Sequence, residues 1–275
     1  MFDYFSKNGE LHSMEEAVIP LANIEYSYGF GVYENLKVRN GIIYFLKEHL
    51  LRLQESCRVI GLEHPFSEDT IVTAVQAVVR ANKIENANLK ILLIGGKTKE
   101  TAEFFILPLN PLYPEDKWYK EGAAVITCPY EREYSKAKTL NMLSSYLAYK
   151  KAREAGCYDA LLIDREGFIR EGTRTNFFTI RGKTIFSPPE EKMLDGVTRK
   201  TVLQVARENG YEVVLRDIVP NDLGSFDGAF LTSTSSKILP VRKIDAFEYS
   251  VIPDALRQLM KLYDTFLDAS GGVLK

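Results

Sequence analysis

The stretch "ALLIDREGFIREGTRTNFFTIRGKTIF", residues 160–186, decides between the fold classes open to this chain. It holds two pairs of short apolar runs, and each pair is separated by a turn dipeptide, Glu166-Gly167 in the first and Arg181-Gly182 in the second. Short runs rich in β-branched and aromatic residues on either side of such a turn predict β-hairpins. Because hairpins are antiparallel and strict strand–helix alternation is missing, the stretch predicts an α+β fold.

Similar local signals lie on the N-terminal side. The Asn40-Gly41 dipeptide before "GIIYFL" predicts another hairpin. A helix is predicted after it and should end at Gly61, because apolar residues recur at helical spacing at Leu46, Leu50, Leu53, Cys57 and Ile60. Ser67 is a predicted N-cap for the next helix. Two strands follow, "LKILLIG" and "EFFILPL".

The C-terminal side gives a comparable mixture of elements. A strand "AAVITC" precedes a helix predicted within residues 135–156, whose buried face is marked by Leu140, Leu143 and Leu147. The helix "TRKTVLQVAREN" should end at Gly210. Two more strands, "YEVVLRDI" and "GAFLTS", and a last helix beginning at Pro253 complete the predicted order.

A proline-rich and charged segment, "NPLYPEDKWYKEG", separates these two halves and is the best candidate for a linker. We therefore predict a small N-terminal domain over residues 1–114, a linker over 115–120 and a larger C-terminal domain over 121–275.

Composition excludes several classes of protein. The chain has 275 residues, 45% apolar and 26% charged, with a net charge of −2 and no basic block, so neither a nucleic-acid nor a membrane partner is predicted. Its apolar runs are far shorter than the ~20 residues of a membrane span, and its first residues lack the apolar core of a signal peptide. The three cysteines show no CxxC spacing, and the three histidines are too scattered for a convincing metal cluster. The sequence therefore predicts a cytoplasmic protein.

Lys138 is the first candidate functional residue. It lies just before the predicted leucine face, where an amine partly removed from water is favoured in its neutral, nucleophilic form. On spacing alone a plain surface lysine is the better interpretation, because lysines are rarely buried.

Two further segments offer groups that bind anions. Arg52 lies three residues after His49 and, with Ser56, forms the polar face of its helix. The spacing of these residues favours a solvated helix face. The alternative is an anion-binding site, because the guanidinium of Arg52 is suited to phosphate. The run "DGVTR" places Gly196, Val197 and Thr198 at a helix start, where backbone N–H groups bind phosphate and Thr198 is equally explained as an N-cap.

Two polar positions near strand ends have two interpretations each. The run "LTSTSSK", residues 231–237, is either a polar loop or a source of hydroxyl and amide groups for an anion. Glu171 beside a glycine usually marks a turn, and the alternative is a buried partner for a protonated ring nitrogen.

Taken together these segments resemble one family. The motifs "YGFGVYENLKVRNG", "EHLLRL", "KTLN", "EGTRTNFF", "DGVTR" and "LTSTSSKILPV", in this order over roughly residues 25–245, resemble the class IV (fold-type IV) pyridoxal-phosphate aminotransferases. That family includes branched-chain aminotransferases, D-amino-acid aminotransferases and aminodeoxychorismate lyases. The resemblance implies a small N-terminal α/β sandwich, a larger C-terminal pseudo-barrel, pyridoxal 5'-phosphate as cofactor and a homodimer.

The resemblance also implies a role for each matched residue. Lys138, and not Lys136, falls on the Schiff-base lysine, and Glu171 falls on the glutamate that pairs with the pyridine nitrogen. Positions that bind the phosphate are matched by Arg52, Val197, Thr198 and Thr234. Positions on the substrate side are matched by Tyr33 and Ser235, with Arg174 as a further candidate. Asn176 is expected to have a structural role near the cofactor.

The substrate is less well defined by these motifs. The arginine-proline signature of many branched-chain enzymes is missing from "LKILLIGGKTKE", which offers Lys97 and Lys99 in the following loop. The spacing from Lys138 through Gly156 to Tyr158 resembles the D-amino-acid branch more closely, but that branch's usual carboxylate clamp is missing too. We predict transamination between an aliphatic, preferably branched-chain, amino acid and a 2-oxo acid. A D-amino-acid transaminase and an aminodeoxychorismate lyase are the alternatives, and the pair Lys138 and Glu171 argues against a non-catalytic cofactor-binding protein.

Overall fold

A computed structural model describes residues 2–111 and 113–270, which form two compact units. Residues 2–111 and 137–142 make up the first unit, and residues 113–136 and 143–270 make up the second. Among the described residues no helix is both long enough and apolar enough to cross a membrane.

The first unit is a six-stranded sheet with two long helices. In chain order its elements are β1 Tyr4–Lys7, β2 Glu10–Ser13, α1 Ile24–Ser27, β3 Gly31–Arg39, β4 Ile42–Tyr44, α2 Leu46–Ile60, α3 Glu68–Ala81, β5 Ala87–Ile94 and β6 Glu103–Leu109, with short 3-10 helices at Met14–Glu16 and Lys99–Thr101. Its strands follow the order β2-β1-β6-β5-β3-β4 across the sheet. The apolar stripes of α2 and α3 pack with alternate residues of β3, β5 and β6 to form its main core.

The local signals in this unit are confirmed. Asn40 and Gly41 have φ angles of 53° and 74°, the left-handed values that a two-residue hairpin turn needs, and they join β3 to β4. Gly61 ends α2 at φ 67°. The Ser67 hydroxyl caps α3 by accepting a hydrogen bond from the Thr70 N–H at 3.1 Å.

Residues 137–142 do not begin a helix, which corrects the prediction for 135–156. Thr139 forms an isolated antiparallel bridge with Val32 of β3. The Tyr33 N–H donates to the Lys138 carbonyl and the Leu140 N–H to the Gly31 carbonyl, both at 2.9 Å. Backbone pairing with a strand over 100 residues away in sequence overrides the local helical pattern here. The sequence places these residues in the C-terminal domain, but they group with the first unit.

The second unit contains the remaining strands and helices. In chain order they are α4 Asp116–Glu121, β7 Ala123–Pro129, α5 Leu143–Glu154, β8 Asp159–Ile163, β9 Ile169–Gly172, β10 Asn176–Arg181, β11 Thr184–Ser187, α6 Val197–Glu208, β12 Glu212–Leu215, β13 Gly228–Ser233, β14 Lys237–Ile244, β15 Phe247–Glu248 and α7 Asp254–Ala269, with 3-10 helices at Glu190–Lys192 and Pro220–Ser225. Both hairpins of residues 160–186 are present, as β8–β9 and β10–β11.

The nine-stranded sheet of this unit closes on itself. Its strands run in the order β12-β11-β10-β13-β14-β7-β8-β9, and β9 also pairs with β10. The pair that closes the ring is Glu171 of β9 opposite Asn176 of β10. Six strands thus form a barrel-like ring, with β11, β12 and β15 outside it. This agrees with the predicted α+β class and pseudo-barrel.

The segment predicted as a linker, residues 115–120, contains most of α4, whose Trp118 packs edge-on against the Tyr158 ring with centroids 5.1 Å apart. One prediction about the second unit needs correction. Leu143 and Leu147 are not buried, since 67% and 54% of each is exposed. Helix α5 packs through small residues, Ser145, Ala148 and Ala152, which lets it approach β8 closely and turns the leucines outward. The boundaries proposed for the two domains otherwise stay a prediction.

Candidate functional site

Lys138 lies beside an aromatic ring in the first unit. Its Nζ is 4.4 Å from the centroid of the buried Tyr33 ring, and Lys90 places a second amine 5.3 Å from the same centroid. Lys138 is half-buried, whereas Lys136 is exposed. An ammonium group is attracted to the face of an aromatic ring. The Tyr33 ring therefore attracts the amines of both Lys138 and Lys90. Lys90 was not identified from the sequence, because its proximity to Tyr33 arises from pairing between β3 and β5.

Arg52 is part of a buried polar cluster on the opposite face of β3. Its Nε donates to Oε1 of Glu34 at 2.7 Å, and its Nη2 donates to Oε2 at 2.8 Å. Nδ1 of His49 lies 2.7 Å from the same Oε2. His49, Ser56 and Glu34 are buried, so the interpretation of this helix face as solvated is wrong. The carboxylate of Glu34, which lies on the same side of β3 as the buried Val32 and Leu36, was the missing signal.

Burial and charge set the protonation of this cluster. Burial alone would raise the pKa of Glu34, but Arg52 and His49 outweigh it and hold that pKa well below its ordinary value. Burial lowers the pKa of His49, and the nearby Glu34 opposes this only in part. Because an ionised carboxylate only accepts hydrogen bonds, Nδ1 of His49 is the donor. Glu34 is therefore a fixed anion held by a neutral histidine and a guanidinium.

The guanidinium of Arg52 is held in a fixed orientation by Glu34. It is a rigid planar fork of N–H groups, and 12% of the Arg52 side chain is exposed. A guanidinium is a group that binds phosphate, which agrees with the role that the resemblance implies for Arg52. Lys97 and Lys99, the other cations considered for this unit, are exposed on the loop after β5.

Glu171 lies in the second unit in contact with Arg132. Nε of Arg132 is 2.8 Å from Oε1 of Glu171, and Nη2 of Arg132 donates to the Thr173 carbonyl at 2.5 Å. The Leu194 N–H donates to the other carboxylate oxygen at 3.4 Å. Glu171 is thus a buried, oriented carboxylate and not a plain turn residue. Arg132 was missed, since nothing in "YEREYSK" distinguishes it from a surface arginine.

Asn176 joins Glu171 to the start of α6. Its Nδ2 donates to the Leu194 carbonyl at 2.8 Å. A Cβ at Gly196 would lie 2.0 Å from Oδ1 of Asn176, so only glycine fits at this position. Leu194 is therefore held by Glu171 through its N–H and by Asn176 through its carbonyl.

The beginning of α6 can hold an anion. Its N-cap is Gly196, which makes no side-chain capping bond, so the alternative of Thr198 as N-cap is wrong. Val197 and Thr198 lie in the first turn and are buried. Uncapped N–H groups at a helix N-terminus, beside a threonine hydroxyl, bind phosphate. Arg199 is the next residue, but its side chain is buried, and its Nη1 lies 2.9 Å from Oε1 of Glu190. We therefore assign Arg199 a structural role.

Thr234 and Ser235 lie half-buried in the turn between β13 and β14. This turn is held by a 2.7 Å hydrogen bond between the hydroxyls of Ser233 and Ser236, and by Tyr119, whose hydroxyl donates to the Ser236 carbonyl at 3.0 Å. The strand-ending hydroxyl run is therefore an ordered turn.

Arg174 is exposed and stacks on two tyrosine rings. Its guanidinium carbon lies 4.3 Å from the centroid of Tyr149 and 5.3 Å from that of Tyr158. Burial raises the pKa of Tyr158, which also forms a side-chain hydrogen bond with Ser236. Arg174 is thereby connected to the turn that carries Thr234 and Ser235.

The structure thus groups the predicted site residues into sets within each unit. Tyr33, Arg52 and Lys138 belong to the first unit. In the second unit Leu194 connects Glu171 and Asn176 to the N-terminus of α6, while Arg174 is connected through Tyr158 to the turn after β13. Within each unit the groups have chemistry that fits pyridoxal phosphate. The first unit offers an amine suited to an aldehyde and a guanidinium suited to a phosphate. The second unit offers a buried carboxylate suited to a ring nitrogen, and helix N–H groups and hydroxyls suited to a phosphate.

Comparison with known proteins gives one family. Residues 31–244 match the family model described as amino-transferase class IV. The chain is 30% identical over 249 residues to a putative branched-chain-amino-acid aminotransferase of Methanocaldococcus jannaschii, covering 86% of each protein. It is also 30% identical over 247 residues to a D-alanine aminotransferase of Bacillus licheniformis, covering 86% of this chain and 87% of that protein.

A solved structure agrees with these relatives. It is a branched-chain amino acid aminotransferase from the organism abbreviated T.th., crystallised with pyridoxamine 5'-phosphate. It superimposes with a TM-score of 0.89 at 29% identity, over 99% of this chain and 95% of that one.

Proposed function

Because the chain belongs to the class IV aminotransferases, we propose that it moves an amino group between an aliphatic, preferably branched-chain, amino acid and a 2-oxo acid. The cofactor of this family is pyridoxal 5'-phosphate, and amino acids and 2-oxo acids are its substrates. Branched-chain aminotransferases recur among the similar proteins, which supports this substrate class.

The observation that carries the proposal is the placement of Lys138. Both polar groups of its backbone are hydrogen-bonded, and its amine lies over the Tyr33 ring. We assign to this amine the covalent attachment of the cofactor aldehyde and, once displaced by the substrate, the transfer of a proton from the substrate Cα. When bound, pyridoxal phosphate accepts the electron pair left at that carbon.

The other residues orient and polarise the cofactor in this proposal. Glu171 would keep the pyridine nitrogen protonated, and Arg132 holds that carboxylate in place. Arg52, the Val197 and Thr198 turn, and Thr234 would bind the phosphate. Binding of the phosphate would hold the cofactor in a fixed position relative to the Lys138 amine. A fixed geometry of the reacting atoms increases the rate of the reaction. Asn176 would act through Leu194, without touching the cofactor.

Carboxylate recognition is assigned to cationic and amide groups. Lys90, beside Tyr33, offers a second cation that a substrate carboxylate can meet. Ser235 would offer its backbone amide. Arg174 is also proposed to face substrate, since its exposed guanidinium is connected to the same turn through Tyr158.

A D-amino-acid transaminase is the second candidate. The chain is as similar to a D-alanine aminotransferase as to a branched-chain enzyme, at 30% identity in both cases. Both activities require the same lysine and glutamate, so the residues named above serve either one.

We further propose a cytoplasmic homodimer. Leu143, Tyr146 and Leu147 form an exposed apolar stripe on α5, and Val18 and Leu21 are exposed before α1. Exposed apolar patches of this kind mark association surfaces. Sedimentation of the purified protein at several concentrations tests this part.

The function is tested by single-turnover reactions of the pyridoxal-loaded protein with separate L- and D-amino acids. Conversion to the pyridoxamine form by L-leucine, L-isoleucine and L-valine is expected. Conversion by D-amino acids alone would replace the branched-chain proposal with the second candidate. Release of pyruvate from aminodeoxychorismate would indicate a lyase. Colour without any half-reaction would indicate a cofactor-binding protein.

A further inference from the structure

Ser56 connects the Lys138 segment to helix α2. It is fully buried near the C-terminal end of α2. Its hydroxyl donates to the Arg52 carbonyl at 2.8 Å and accepts from the Lys138 N–H at 3.0 Å. A hydroxyl has one proton and two lone pairs, so both bonds form together. One atom thus contacts the turn that carries Arg52 and the backbone that carries Lys138.

The bond from Ser56 completes the fixation of the Lys138 backbone. On the other side of this residue the Lys138 carbonyl accepts from the Tyr33 N–H at 2.9 Å. The chain goes from the exposed Lys136 through the buried Ala137 into this pairing. Ser56 therefore holds the backbone where it enters the sheet, while β3 holds it beyond that point.

We propose that Ser56 is a positioning residue for Lys138, which keeps the amine in a fixed relation to Tyr33 and to the guanidinium of Arg52. The proposal rests on the function assigned to Lys138 above. A buried N–H without an acceptor is costly, so loss of the hydroxyl makes the Lys138 segment shift or open. Displacements of ~1 Å at a reacting group cost up to ~100-fold in rate.

The chain supplies a matched control for the loss of a buried hydroxyl. Ser6 of β1 is also fully buried in the first unit, and its Oγ has no hydrogen-bond partner among the described residues. Ser6→Ala removes the same group without removing a bond. Ser56→Cys keeps the shape of the side chain and weakens both bonds, because a thiol is a poor donor and acceptor.

The first measurement needs no cofactor. Amide hydrogen exchange of the cofactor-free full-length protein is followed in the peptide that contains Lys138. We expect Ser56→Ala to accelerate this exchange ~10-fold, the change that follows from losing one hydrogen bond of about 1.4 kcal/mol. Ser6→Ala should leave it at the wild-type rate, and Ser56→Cys should lie between the two.

The second measurement follows attachment of the cofactor. Pyridoxal phosphate is added to the cofactor-free protein, the adduct is trapped with borohydride at timed intervals, and its position is mapped. We expect Ser56→Ala to slow trapping at Lys138 ~10-fold and to lower kcat with little change in KM for the amino acid. Ser6→Ala should match the wild type.

These outcomes separate the two proposals. Wild-type exchange and wild-type trapping in Ser56→Ala would overturn the role of Ser56 and leave the proposed function intact. A wild-type adduct that forms at another lysine, or none at all, would overturn the proposed function. If Ser56→Ala does not fold, Ser56→Cys supplies the same comparison against Ser6→Ala.

Discussion

Glu34 and Arg52 are joined by two parallel hydrogen bonds between a buried carboxylate and a guanidinium, at 2.7 and 2.8 Å. One partner lies on β3 and the other on α2, so the pair connects the sheet to the helix that packs against it. His49 adds a third contact to the same carboxylate at 2.7 Å. A buried charge of this kind is tolerated only when its partners are complete.

Removing the charge of Glu34 should therefore destabilise the protein. We expect Glu34→Gln to lower the free energy of unfolding by about 3 kcal/mol, because Arg52 is left with an uncompensated charge. Urea unfolding of the cofactor-free protein measures this. Glu55→Gln, at the exposed pair with Arg58, is the matched control and should unfold like the wild type. Equal stabilities of the two variants would contradict the importance given to the buried pair.

The buried His49 should make stability depend on pH. Its pKa is lowered by burial in the folded protein, whereas a histidine in the unfolded chain takes up a proton near pH ~6.5. Below that pH the unfolded state binds more protons, so the free energy of unfolding falls as pH falls from about 6.5 toward the folded pKa. We expect His49→Gln to flatten this slope in urea unfolding between about pH 5 and 7. An unchanged slope in the variant would assign the dependence to other groups.

Arg132 should control cofactor affinity through Glu171. We expect Arg132→Met to weaken binding of pyridoxal phosphate about 10-fold or more, because the ion pair with the buried carboxylate is lost. Arg132→Lys should recover only part of the affinity, since an ammonium cannot reproduce the planar fork. Absorbance titration of the cofactor-free protein measures both. Arg165→Met, at a site that is 93% exposed, is the control, and a similar loss there would contradict the assignment.

Gly196 should tolerate no side chain. Gly196→Ala places a methyl group 2.0 Å from Oδ1 of Asn176, and we expect a loss of about 1–3 kcal/mol of unfolding free energy from overpacking. The double variant with Asn176→Ala should recover part of that loss, which a double-mutant cycle in urea detects. Gly224→Ala meets only an ordinary contact at 3.6 Å and should be neutral. Additive losses in the double variant would show that the two residues do not clash.

Elements with strong local signals were predictable from the sequence. The hairpin at Asn40 and Gly41 requires left-handed backbone, and helix α2 carries both an apolar stripe and a terminal glycine. Each of these signals lies within a few residues of the element that it determines, so tertiary contacts had little to override.

The errors arose where distant contacts decide the structure. Residues 137–142 have a helical pattern, yet they pair with β3, and the leucines of α5 face outward because small residues make its packing contacts. Arg132, Lys90 and the burial of His49 could not be found by periodicity, since their partners are brought together only by folding. Motif order located Lys138 and Glu171 without revealing which groups hold them.

The pairing of Glu171 with Asn176 has a consequence for biogenesis. A chain that has folded every strand except for this closure would present two unprotected strand edges, which invite association with other chains. In such a chain Glu171 and Asn176 would lose the contacts that both make with Leu194. If Glu171 holds the cofactor as proposed above, binding of pyridoxal phosphate would stabilise the closed form of the barrel over this open form.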